Sequence, residues 1–158
     1  MNLKHSVAFL ILSAMLFCLR SAGANGTDVQ EGKAENKTAA KAADVQRITV
    51  EELKEMIAKS SPVTIIDARS AGSYDSTTTK IKRAIRMTTE EIPSHLKDLP
   101  HDREVVTYCS CPSEATSARV AQIFIENGFR ARALKGGWDA WVQADGPVEP
   151  KGNAKDEK

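Results

Sequence analysis

"EVVTYCSCPSEATSARVAQIFIENGF", residues 104–129, reads as a strand, a short polar loop and a helix in direct succession. Val105, Val106, Thr107 and Tyr108 form a β-branched and aromatic run suited to a strand buried on both faces. Ser113 is the expected N-cap of the helix, and Gly128 marks its end. Cys109 and Cys111 lie in the turn between the two elements. A second buried strand is expected in "VTIIDAR", residues 63–69.

Working outward, strands continue to alternate with helices. Thr49 and Glu52 have the spacing of a capping box, Ile48 and Leu53 can close a hydrophobic staple around it, and the helix must stop before Pro62. "KIKRAIRM", residues 80–87, predicts one short strand. "TTEEIPSHLKDL", residues 88–99, repeats the box with Thr88 and Glu91 and keeps Pro93 within the first turn. "ARALKGG" predicts a last strand running into a glycine turn, and "WDAWVQADG" a helical piece with Trp138 and Trp141 on one face. Such alternation predicts an α/β fold, a central parallel sheet of about five strands with helices on both faces.

The ends of the chain read differently. Lys4 and His5 precede an apolar stretch from Val7 to Leu19, followed by the small residues Ala22, Gly23 and Ala24. That order predicts a cleavable signal peptide over residues 1–24 and export to a periplasm or beyond, with no stable membrane insertion after cleavage. The apolar stretch falls short of the roughly 20 residues that a membrane span needs. Residues 25–46 carry no aromatic residue and no apolar period and predict a disordered linker, as does the tail 151–158; the folded domain is expected over 47–150. A formal net charge of +1 gives no field to attract nucleic acid.

Loss of the signal would remove Cys18 and leave only Cys109 and Cys111. Two cysteines so close together close no useful loop and cannot staple a fold, so reactivity is the reason left for them. Cys109 falls at the carboxyl end of a parallel strand, where ligands gather. The loop behind it opens a helix, whose free N–H groups favour negative charge and lower a thiol's pKa. The burial preference of an ordinary free cysteine is the bland alternative.

These stretches together resemble the single-domain rhodanese family of sulfurtransferases. The likeness rests on "TIIDAR", Tyr74, "VVTYC" with its small-residue loop, "ENGF" and "LKGGWDAW", in that order over nearly all of residues 47–150. What it implies is a cysteine that takes a sulfane sulfur from a small-molecule or protein donor, becomes a persulfide and passes the sulfur to a thiol acceptor, with no metal or organic cofactor. The implied site is Cys109, with Cys111 as partner or alternate nucleophile. Around it stand Ser110, Pro112, Ser113, Glu114, Ala115, Thr116, Ser117 and Arg119, with Asp67 and Arg69 at the neighbouring strand end. Strand position favours Cys109, whereas the family's usual six-residue loop length fits Cys111 better. Under the first choice Cys111 can attack the persulfide or bond to Cys109, and the small C-x-C ring would be readily reduced. The sequence departs from the family in placing Glu114 where cations are common, and Arg83 where glycine is usual.

Other chemistries fit less well. A phosphatase loop needs an arginine six residues after its cysteine, and Ala115 and Ser117 stand there instead. A metal site of the two cysteines with His95 or His101 has suitable ligand types but nothing to bring them into register. A catalytically silent binding module and a thiol redox protein using the C-x-C pair stay open. Asp67 and Arg69 also read as an ion pair fixing loops, and the two tryptophans as packing.

Overall fold

The computed structural model describes residues 41–152. The centre of the architecture is a five-stranded sheet ordered β1 (Arg47–Ile48), β6 (Ala131–Leu134), β5 (Glu104–Tyr108), β2 (Val63–Asp67) and β4 (Ala84–Arg86). Every pairing in it is parallel. Parallel neighbours need crossovers, and helices supply them. The fold is therefore the α/β arrangement expected, with apolar clusters on both faces of the sheet.

Burial explains why the strands read as they do. All five residues of β2 are buried, and β5 is buried from Val105 onward. Val105 packs on one face against Ala118, Val120, Ala121 and Phe124 of α4 (Ala115–Glu126). Val106 and Tyr108 pack on the other, with Val50 and Leu53 of α1 (Val50–Ala58) and with Trp138 and Trp141 of α5 (Gly137–Gln143). Alternate strand residues thus feed opposite clusters. At the end of α4, Gly128 turns to a φ of 85° and lets Phe129 N–H return to the Phe124 carbonyl at 3.0 Å.

The capping box at α1 forms in both directions, Glu52 N–H to Thr49 Oγ1 at 3.1 Å and Thr49 N–H to the Glu52 carboxylate at 2.8 Å. At Thr88 only the return bond forms, from Thr88 N–H to Glu91. The helix behind it, α3 (Ile92–His95), carries Pro93 in its first turn and tightens at once into a 3₁₀ turn at Leu96–Asp98.

Several details correct the reading from sequence. "KIKRAIRM" is two strands rather than one: β3 (Thr79–Ile81) and β4 are split by a turn in which Arg83 takes a φ of 68°. β4 joins the main sheet, whereas β3 pairs antiparallel with β7 (Val148–Pro150). The Ser/Thr-rich stretch holds a short helix, α2 (Ala71–Asp75), capped by Ser70. α4 begins after Glu114, not after Ser113. Composition places residues 41–46 in the linker, yet Ala42 and Val45 are buried in the core. At the other end Lys151 N–H bonds to the Thr78 carbonyl at 3.1 Å, because β7 carries the chain back across the molecule. The signal peptide, the rest of the linker and residues 153–158 lie outside the described residues. No described helix is long and apolar enough to cross a membrane.

Candidate active site

The carboxyl ends of β2, β5 and β4 meet in register, with Asp67 opposite Tyr108 on one side and Arg86 on the other. Cys109 is the first residue past β5. Its backbone is held firmly: Trp138 N–H donates to the Cys109 carbonyl at 2.9 Å. Gly137 permits that approach, since a Cβ there would stand 2.2 Å from the same oxygen. The Cys109 side chain is 2 % exposed, and its Sγ lies 3.5 Å from Ser117 Oγ. Ser117 belongs to the first turn of α4, so this sulfur sits at the positive end of a twelve-residue helix.

Cys109 is bonded to Cys111 through a disulfide, with Cα atoms 5.6 Å apart. That separation is ordinary for a disulfide even though one residue intervenes. The loop between strand and helix runs from Cys109 to Glu114. Glu114 N–H donates to the Cys111 carbonyl at 3.0 Å, and Ala118 N–H to the Glu114 carbonyl at 2.8 Å. Among the described residues, the amides of Ser110, Cys111 and Ser113, and those of Ala115, Thr116 and Ser117, find no acceptor. A cluster of donors left over at a helix start is suited to an anion.

Glu114 closes the loop and makes contacts far from it in sequence. It adopts left-handed backbone at φ 56°. Its carboxylate accepts from Arg47 Nε at 2.7 Å and from Gly136 N–H at 2.6 Å. Those two contacts tie the loop to the β1 edge and to the turn before α5. Arg119 is exposed on α4, while Pro112, Ser113 and Ala115 are exposed and Ser110, Cys111 and Thr116 half-buried.

Asp67 and Arg69 are fully buried and paired, with Arg69 NH2 2.6 Å from Asp67 Oδ2 and Nε bonded to both carboxylate oxygens. The pair joins the end of β2 to the residues that follow it. Tyr108 donates its hydroxyl to Asp67 at 2.6 Å and accepts from Ile81 N–H at 3.3 Å. Burial, and then the Asp67 charge beside it, push the Tyr108 phenol far above its ordinary range, so it stays a donor. Burial alone would lower the Arg69 pKa, but the bond and charge of Asp67 outweigh it and the net shift is upward. The guanidinium also lies 4.2 Å over the Trp138 ring, and two further bonds reach Thr77 Oγ1 and the Thr79 carbonyl. Next to it the Tyr74 ring is faced by Arg69, Arg86 and Lys151 at 5.1, 4.7 and 4.1 Å.

The sequence does not single out Arg47, Arg86 or Tyr108 for this site, and it reads Trp138 as packing. Only the register of β2 with β5 puts Tyr108 beside Asp67, and alternation along "VVTYC" was the one signal for which face its ring takes. The histidines are engaged elsewhere: His95 faces Asp98 at 3.4 Å and His101 stacks on Phe129. Among the described residues no group of three or more metal-ligating side chains gathers.

Comparisons with known proteins place the chain in a family. The model of the rhodanese-like domain matches residues 49–144. A sulfurtransferase of Allochromatium vinosum is 30 % identical over 110 residues, which span 68 % of this chain and 99 % of that protein. A rhodanese-like domain protein of Staphylococcus aureus superposes with a TM-score of 0.55 at 28 % identity, over 68 % of this chain and 99 % of that one. A Rhodopseudomonas palustris protein of unknown function, described as a possible tyrosine phosphatase, gives a TM-score of 0.61 at 21 % identity, over 72 % and 92 % of the two chains. That last likeness shows the fold alone. From the match across residues 49–144, and from the relative that shares nearly its full length, the chain belongs to the rhodanese-like domain family.

Proposed function

We propose that this protein is a sulfurtransferase whose Cys109 takes a sulfane sulfur from a donor, carries it as a persulfide and delivers it to a thiol acceptor. The family and the sulfurtransferase relative support the sulfurtransferase-like role. The observation that carries the finer reading is the setting of Cys109. Its sulfur lies beside Ser117 Oγ of the first turn of α4, next to a loop in which the amides of Ser110, Cys111 and Ser113 find no acceptor among the described residues. Once the disulfide is reduced, that setting favours a thiolate, and after loading it favours the persulfide anion. The Trp138 N–H bond and the Gly137 contact fix the Cys109 backbone, which supports Cys109 over Cys111 as the nucleophile.

The loop itself contributes no cation, since its one charged side chain is Glu114. A persulfide, borne by a protein or by a small thiol, therefore suits the site better than thiosulfate, whose two charges call for basic partners. The signal-like residues 1–24 support export as part of this reading, and an oxidising compartment would agree with the disulfide. The test is sulfur loading followed by intact mass on reduced protein. Cys111→Ser is expected to gain one sulfur atom from a persulfide donor and Cys109→Ser to gain none. Loading of Cys109→Ser with none on Cys111→Ser would move the nucleophile to Cys111, and no loading of any form would sink the enzymatic reading.

A further inference from the structure

The disulfide between Cys109 and Cys111 contributes almost nothing as a staple, because it closes a loop with a single residue inside. Its value lies in what it shows about reach: the Cys111 sulfur meets the Cys109 sulfur in a structure that holds the strand, the helix and the Trp138 bond. The two sulfurs are also unequal. Cys109 is 2 % exposed and fixed, whereas Cys111 is half-buried in the loop between Ser110 and Pro112.

We infer that Cys111 resolves the Cys109 persulfide and releases its sulfur as hydrosulfide, so that the domain reduces sulfane sulfur as well as transferring it. The inference rests on the persulfide reading above. In the resolving step the Cys111 thiolate attacks Sγ of Cys109. A bond forms between the two cysteine sulfurs, and the bond from Cys109 Sγ to the outer sulfur breaks, its electron pair leaving on hydrosulfide. The outer sulfur gains two electrons and the cysteine pair loses two, which gives the disulfide present in the structure. A dithiol reductant closes the cycle by thiol–disulfide exchange. With a persulfide donor and a dithiol, the net products are the donor's thiol, hydrogen sulfide and the oxidised dithiol.

Exposure sets the direction of the return half. A reductant reaches Cys111 rather than the enclosed Cys109, so the mixed disulfide forms on Cys111. The sulfur expelled is then Cys109, released as a thiolate at the start of α4 and ready for the next donor. Attack on the inner sulfur is likewise favoured in the forward half, since that is the atom Cys111 already meets. The outer sulfur is the part of the persulfide that must leave the enclosure.

The experiment uses the chain with Cys18→Ser, so that the pair supplies all the thiols, reduced and then freed of reductant. One equivalent of glutathione persulfide is added, and released sulfide, free thiols and intact mass are followed together. The expected result is close to one equivalent of sulfide, loss of both protein thiols and no retained sulfur. Cys111→Ser in the same background is expected to retain the added sulfur and to release sulfide only when dithiothreitol is supplied. A parent chain that keeps the sulfur with its second thiol free overturns resolution while leaving sulfur transfer standing. Absence of loading in both proteins overturns the persulfide reading and this inference with it.

Discussion

A methyl group added at Gly137 would stand 2.2 Å from the Cys109 carbonyl oxygen, far inside contact distance, on backbone already at a φ of 54°. Gly137→Ala must either push α5 away or break the Trp138 N–H bond that holds the nucleophile's backbone. The expected cost is about 3 kcal/mol, seen as a lower urea midpoint, together with slower sulfur loading of the reduced protein. Asp67 tests a different kind of dependence. Asp67→Asn strands the Arg69 charge in a site with no water access and weakens the acceptor of Tyr108, for an expected loss of about 3–5 kcal/mol. Replacing both partners, as Asp67→Asn with Arg69→Met, should cost clearly less than the two single changes added together. Chemical denaturation of the four proteins measures that coupling, and simple additivity would show that the pair is not a unit. Neither residue need touch a substrate for either change to disturb the site.

Among the elements, α1 depends most visibly on its cap. Thr49→Ala removes one half of the box and is expected to lower stability by about 1 kcal/mol. The box also has a pH signature. The bond from Thr49 N–H holds the Glu52 carboxyl below its usual value of 4.5, as Thr88 does for Glu91. A carboxyl with a lowered folded pKa adds stability above its unfolded pKa and loses it as the pH falls through the folded one. Urea midpoints should therefore fall on acidification below about pH 4.5, and Glu52→Gln should flatten part of that fall. An unchanged slope in the variant would remove Glu52 from the account. The turn between β3 and β4 shows an element decided against local preference. Arg83 occupies left-handed backbone where glycine would be easier, because the chain must pass there from one sheet to the other.

For the whole molecule, the folded unit begins earlier than composition indicates. Ala42 and Val45 are buried, and Lys41 meets Glu126 of α4 at 2.9 Å. A chain starting at Arg47 should thus be less stable than one starting at Lys41, by about 2 kcal/mol for the apolar surface left uncovered. Equal urea midpoints for the two truncations would return residues 41–46 to the linker. The same edge bears on the site, since Arg47 of β1 holds Glu114 at 2.7 Å. A loss of order at the beginning of the fold would reach the cysteine loop through that one ion pair, whereas α4 and β5 would keep their places in the sheet.

Short-range patterns account for the parallel α/β plan, the two buried strands, the capped start of α1, the glycine stop of α4 and the seating of the cysteines between strand and helix. Each of these is written within a few neighbouring residues, as a run of β-branched side chains, a cap three residues from its partner, or a glycine after an apolar face. Only the folded chain brings Glu114 to Arg47 and Gly136, sets Tyr108 and Trp138 around the Asp67–Arg69 pair, and forms β1 and β7. Those outcomes join residues far apart along the chain: 67 positions separate Arg47 from Glu114, and 41 separate Asp67 from Tyr108. No local pattern carries such a pairing, because it exists only once the strands have taken their register.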